Sequence, residues 1–290
     1  MLNVNNMSFE YSNQKGVFDI NFSLEQGEVL GFLGPNGAGK TTTIRALMGF
    51  IKPTKGSLTI FGKDCFEKAD EIQKNVGYIA GEVNFINGLT AKEYLDFVMD
   101  MRGLKNTSNQ KILLDMFELS LNEKIKNFSK GMKQKLSIVS AFMHDPQVLI
   151  LDEPTSGLDP LMQNRFVELI LSEKEKGKTI LMSSHMFEEV ERCCQNTLII
   201  KNGRITCKSS IQSLKNKEKR IYTVKSDNLL ALEKFGYNLK SVGDKTAEIQ
   251  VDNVDKFVKD LAQLNVLDLQ EKSQSLENFF MNYYGGGENT

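Results

Sequence analysis

The chain has 290 residues, room for one large core and a smaller unit, so two domains are expected. Its 36 Lys and Arg almost balance 37 Asp and Glu, and a formal net charge of −1 creates no global field to recruit nucleic acid or anionic lipid. No apolar run reaches the roughly 18 residues of a membrane span, and Met1 to Met7 carry neither a basic region nor a long apolar core, so export and direct membrane insertion are both excluded as expectations. The four cysteines, Cys65, Cys193, Cys194 and Cys207, form no C-x-x-C pair and read as reduced thiols of a cytoplasmic protein. His144 and His185 have no metal-site companions, so no zinc site is expected, and His144 reads as structural.

In chain order, Asn5 to Tyr11 and Val17 to Leu24 are strand-like, and with Ser57 to Gly62 they predict an antiparallel β layer. The apolar strand Val29 to Leu33 leads into Gly34-Pro35-Asn36-Gly37-Ala38-Gly39-Lys40-Thr41-Thr42, followed by a helical pattern to Met48. The spacing G-x-x-x-x-G-K-T between a strand and a helix is that of a phosphate-binding loop. Its glycines let backbone N–H groups approach phosphate oxygens, and the helix adds its positive end. Lys40 supplies a mobile charge for the β- and γ-phosphates, and the Thr41 hydroxyl suits the Mg²⁺ that travels with a nucleotide. Asn36, Gly37, Gly39, Lys40, Thr41 and Thr42 are therefore the expected contacts to a nucleoside triphosphate.

Further strands are expected at Gly77 to Ile79, Val148 to Leu151, Thr179 to Met182 and Thr197 to Ile200. Their short, nearly continuous apolar character implies burial on both faces of a mostly parallel sheet. Helical periodicity from Thr90 to Phe128 marks a helical insertion at about 83–145, and an Asn202-Gly203 hairpin closes the first domain near residue 210. Polar residues from Lys215 to Arg220 form a boundary. Strand, helix, strand, strand, helix, strand and helix then follow, the last at Leu276 to Tyr284, predicting a small α+β domain at 220–284 with a disordered tail at 285–290.

The strand Leu149 to Leu151 ends in Asp152 and Glu153. In an open α/β sheet the C-terminal strand ends line the ligand crevice, and alternation lets neighbouring carboxylates do different work. Asp152 suits the Mg²⁺ shell and Glu153 suits polarising a water for in-line attack on a γ-phosphate.

Together with the phosphate loop, four ordered elements resemble the ATP-binding subunit of an ABC transporter: the signature-like Asn127 to Leu136, Asp152-Glu153-Pro154-Thr155, the D-loop-like Ser156-Gly157-Leu158-Asp159, and Ser183-Ser184-His185. The resemblance covers about residues 1–210 and implies a P-loop NTPase cassette with a mixed sheet core. It also implies a head-to-tail dimer in which Ser129 and Gly131 of one subunit meet the ATP held by the other, with a homodimer expected ahead of a heterodimer. His185 would hold the γ-phosphate and the attacking water, and Tyr11 would stack on adenine. A separate membrane permease would hold the subunit at the inner face of the cell membrane, its coupling helix docking around Glu82 to Leu95.

Two positions depart from the family pattern. Gly81 stands where a glutamine usually contacts Mg²⁺, leaving Glu82 or water to complete the metal shell, and Lys130 interrupts the usual signature. These features, with the appended C-terminal domain, resemble type-2 exporters of antibiotics and peptides, in particular the ATPases of phenol-soluble-modulin exporters. The alternatives are a soluble ABC-type ATPase outside transport and a sensor that binds ATP without turnover. A single cassette without sustained heptads argues against the translation-type and chromosome-type members of the first class.

Overall fold

The computed structural model describes residues 1–12, 15–104, 108–217, 220–243 and 245–272. Contacts divide the chain into two units, Met1–Ile211 and Gln212–Thr290. The expected helix at Leu276 to Tyr284 and the expected tail lie outside the described residues.

In the first unit, β1 (Leu2–Glu10) pairs antiparallel with β2 (Gly16–Leu24) and with β4 (Lys55–Ile60), which in turn pairs with β5 (Lys63–Asp64). The second sheet has the order β10-β9-β3-β8-β7-β6, built from β3 (Val29–Leu33), β6 (Val76–Ile79), β7 (Val148–Asp152), β8 (Thr179–Ser184), β9 (Asn196–Lys201) and β10 (Arg204–Ser210). All neighbours in it are parallel except β9 and β10. That exception is the predicted hairpin, turning on Asn202 (φ 49°) and Gly203 (φ 74°), the positive dihedrals an Asn-Gly turn supplies. Every residue of β3, β7 and β8 is buried, as continuous apolar strands covered on both faces require.

Helix α1 (Lys40–Leu47) follows the phosphate loop, and α2 (Ala69–Gln73) precedes β6. The insertion comprises α3 (Ala91–Met101), α4 (Ser108–Phe117) and α5 (Lys130–Phe142). Helix α3 starts at a reciprocal Thr90–Glu93 capping box. Helix α6 (Pro160–Glu175) follows β7, with Asp159 as its cap and Pro160 in its first turn, and α7 (Phe187–Cys193) follows β8. Helix α8 (Ile211–Lys217) follows β10. Burial pushes the thiols of Cys65 and Cys193 up to about 12, so both remain uncharged at neutral pH.

In the second unit, β11 (Arg220–Ser226), α9 (Leu230–Lys234), β12 (Leu239–Gly243), β13 (Thr246–Val251), α10 (Val254–Leu261) and β14 (Val266–Lys272) form an antiparallel sheet of order β12-β13-β11-β14. This is the split βαβ arrangement. Val224, Ile249 and Phe257 are wholly buried, with the Tyr222 ring 5.2 Å from that of Phe257.

His144, between α5 and β7, is buried with Nε2 3.2 Å from the Val76 carbonyl. Burial first, then the nearby Arg102 charge, holds its imidazole down to about 4. Because the unfolded chain binds this proton near the ordinary 6.5, stability is complete above that pH and falls as pH drops toward 4, by roughly 3 kcal/mol if the whole shift is realised. His144→Gln is expected to flatten this part of the stability profile, which urea melts at stepped pH will measure; an unchanged slope contradicts the assignment.

Candidate nucleotide site

Strand β3 carries the chain into the phosphate loop, and α1 begins directly after Gly39, whose φ of 114° disfavours a side chain. A Cβ there would also stand 2.5 Å from Val17 Cγ1. Gly39 provides no side-chain cap, so the first-turn N–H groups of α1 remain available to an anion.

Lys40 is buried, its Nζ donating to the carbonyls of Gly34 (2.6 Å) and Pro35 (3.2 Å). The same ammonium lies 3.2 Å from Glu153 Oε1. Thr41 Oγ1 donates to Asp152 Oδ2 at 2.7 Å, joining the start of α1 to the end of β7.

Strands β7 and β8 are adjacent, placing Asp152 opposite Ser183. Ser183 Oγ donates to Asp152 Oδ1 and accepts the Glu153 N–H at 3.1 Å, so one buried hydroxyl orients both carboxylate-bearing residues. The Glu153 N–H also reaches the Ser183 carbonyl at 3.2 Å. These bonds hold Glu153 at φ 51°, a left-handed conformation costing on the order of 1–3 kcal/mol for a non-glycine residue. Its second carboxylate oxygen bonds His185 Nδ1, so Glu153 bridges Lys40 and His185.

Two supports lie behind this group. Buried Glu189 accepts from Thr155 Oγ1 and from Ser184 Oγ, the latter at 3.0 Å; burial pushes its carboxyl up, opposed by these hydrogen bonds. Gln134 on α5, also buried, donates to the Pro154 carbonyl at 2.6 Å.

A cleft of about 470 Å³ collects Asn36, Gly37, Gly39, Lys40, Thr41 and Thr42 from the loop and α1, with Glu82, Glu153 and His185 facing them. Arg45, Gly81 and Ser156 also line it. Asp152 is buried beneath, bonded to Thr41. Tyr11 is outside the lining but attached to it, its hydroxyl 3.3 Å from Thr42 Oγ1 and its ring edge-to-face with Phe9. Ser129 and Gly131 are not among the lining residues; Ser129 instead caps α5, accepting the Met132 N–H at 3.2 Å.

Gly81 has a steric reason to be glycine. A Cβ there would come 2.9 Å from Asp152 Oδ2, so a side chain would press on the carboxylate that Thr41 and Ser183 hold in place. Ser183, Gln134 and Glu189 were not distinguished by sequence as supports. The available signal was the Ser183-Ser184 pair ending a buried strand, where hydroxyls need internal partners.

The described oxygen donors, the Thr41 hydroxyl and the Asp152 carboxylate, are of the hard type that Mg²⁺ takes, and buried Asp152 supplies charge.

A family model described as ABC transporter matches residues 17–156. The bacitracin transport ATP-binding protein BcrA of Bacillus licheniformis is 33% identical over 295 residues, covering 96% of this chain and 95% of that protein. The chain belongs to the ABC transporter ATP-binding proteins. This ABC cassette is also 32% identical to the linearmycin resistance ATP-binding protein LnrL of Bacillus subtilis, over 98% of each. A solved ATP-binding subunit of an ABC transporter superposes with a TM-score of 0.69 at 33% identity, covering 75% of this chain and 92% of that one. The cassette binds and hydrolyses ATP. Among its described residues no helix is long and apolar enough to cross a membrane.

Proposed function

We propose that this cassette dimerises on ATP and drives export of an amphipathic peptide or antibiotic through a separate membrane permease. The meeting of Lys40, Thr41, Glu153 and His185 around one cleft carries the hydrolytic part of this proposal. The loop N–H groups and Lys40 hold the β- and γ-phosphates, Tyr11 stacks on the adenine, and Thr41, Asp152 and Glu82 are the groups that would hold Mg²⁺. That ion supplies charge neutralisation at the phosphate oxygens.

Glu153 accepts a proton from water as the water oxygen forms a bond to the γ-phosphorus and the bond to the β-phosphate oxygen breaks. Lys40 engages Glu153 directly, so a γ-phosphate competing for this ammonium would release a carboxylate oxygen for the water. His185 orients that water. Ser129 and Gly131, outside the lining of their own cleft, complete the cleft of a second copy at the start of α5. A homodimer is the simplest assembly with this complementarity.

The names of BcrA and LnrL support an antibiotic or peptide cargo, and an ATPase of the phenol-soluble-modulin exporter type is the specific version of this proposal. Phe50 packs on Tyr78 and Phe85 on Tyr94, while Phe50 and Ile86 remain about half exposed at 52% and 49%. These exposed apolar side chains suit contact with a permease coupling helix. Phe50→Ser with Ile86→Ser is expected to preserve ATP hydrolysis by the isolated chain while cells retain amphipathic peptide that they otherwise export. Unchanged efflux would contradict the transport role.

A further inference from the structure

The contact between Lys130 and the Ser156-Gly157 turn suggests a function for the residue that interrupts the usual signature. Lys130 is the first residue of α5, directly after the Ser129 cap. Its Nζ donates to Ser156 Oγ at 3.0 Å. Its stem crosses Gly157, where φ is 82° and a Cβ would stand 3.0 Å from both Lys130 Cγ and Cδ. Gly131 completes the contact, since a Cβ there would lie 2.7 Å from the Gly157 carbonyl oxygen. Farther along the helix, buried Gln134 binds the Pro154 carbonyl. Thus the start of α5 is joined to the segment following Glu153 by polar, stem and backbone contacts.

Ser156 belongs to the nucleotide cleft on the other side of this joint. It lines the cleft, and its N–H reaches the Glu153 carbonyl at 3.1 Å. We infer that Lys130 is a positioning residue that couples Ser156 in one cleft to the Ser129-Gly131 segment completing the cleft of the partner subunit. This inference rests on the proposed head-to-tail dimer. A change of Ser156 position on nucleotide binding acts through the ammonium contact on the start of α5, and by reciprocity occupancy at the distant cleft biases Ser156. The short distance and the glycine beneath the stem give this coupling a continuous physical connection.

Lys130→Met preserves an unbranched apolar stem but removes the donor; Lys130→Arg preserves a donor. Ser156→Ala removes the acceptor. ATP hydrolysis by purified full chains, titrated against ATP·Mg²⁺, will distinguish their effects. The wild type is expected to show a Hill coefficient between one and two, falling toward one in Lys130→Met and Ser156→Ala, with no further fall when they are combined and partial recovery in Lys130→Arg. Nucleotide affinity and thermal unfolding are expected to be unchanged in Lys130→Met, separating lost coupling from lost folding. A non-cooperative wild type, or cooperativity unchanged in Lys130→Met, would overturn the inference. Sedimentation of Glu153→Gln with ATP in parallel tests the dimer itself; failure to dimerise overturns the underlying proposal, whereas dimerisation with an unchanged Hill coefficient in Lys130→Met overturns only the coupling role.

Discussion

Glu153→Gln is expected to lower ATP turnover by about 10²- to 10⁴-fold, the usual range for removing a general base. The amide retains the side-chain shape but cannot accept the proton of an attacking water. Lys40, Thr41 and the phosphate-loop backbone remain, so nucleotide affinity should change little. Single-turnover hydrolysis measured beside nucleotide binding checks both parts. A sensor without turnover would show no loss because the wild type would already be inactive, and an active variant would overturn the assigned base.

Lys40→Met is expected to fail earlier, at binding. The ammonium is buried and already directed by two loop carbonyls and by Glu153, so its charge is organised before it meets phosphate. Loss of a charge-assisted contact worth about 1.5–3 kcal/mol weakens ATP binding by about 10- to 150-fold. The substitution also leaves Glu153 without its cation, while methionine preserves an unbranched stem. Arginine is not a neutral replacement, because its planar fork cannot reproduce the three-way contact of a compact ammonium with Gly34, Pro35 and Glu153. Calorimetric ATP titration provides the check: near-wild-type affinity would remove Lys40 from the binding role.

The phosphate loop and the Asp152-Glu153 pair were legible because their chemistry is written in short contiguous stretches. The strand-like segments of the N-terminal layer and the short continuous apolar strands likewise exposed the two sheets, and Asn202-Gly203 identified the hairpin. Ser183 was less legible: its importance arises when β8 lies beside β7 and one hydroxyl reaches the acceptor of Asp152 and the donor of Glu153. Gly81 looked like a missing ligand in one dimension; the fold shows that its space is taken by Asp152. Lys130 could be recognised as a departure, but its contact depends on bringing the α5 start against a turn distant in sequence. In the second unit the alternation predicted strands and helices, while the order β12-β13-β11-β14 required long-range pairing that local periodicity does not specify.

The shared nucleotide site is tested most directly by sedimentation velocity of Glu153→Gln at saturating ATP and Mg²⁺, with ADP as the comparison. The account predicts a dimer with ATP and a monomer with ADP, since only the triphosphate brings a γ-phosphate to Ser129 and Gly131 of a second copy. A chain that binds ATP in the same samples yet sediments as a monomer would contradict that account.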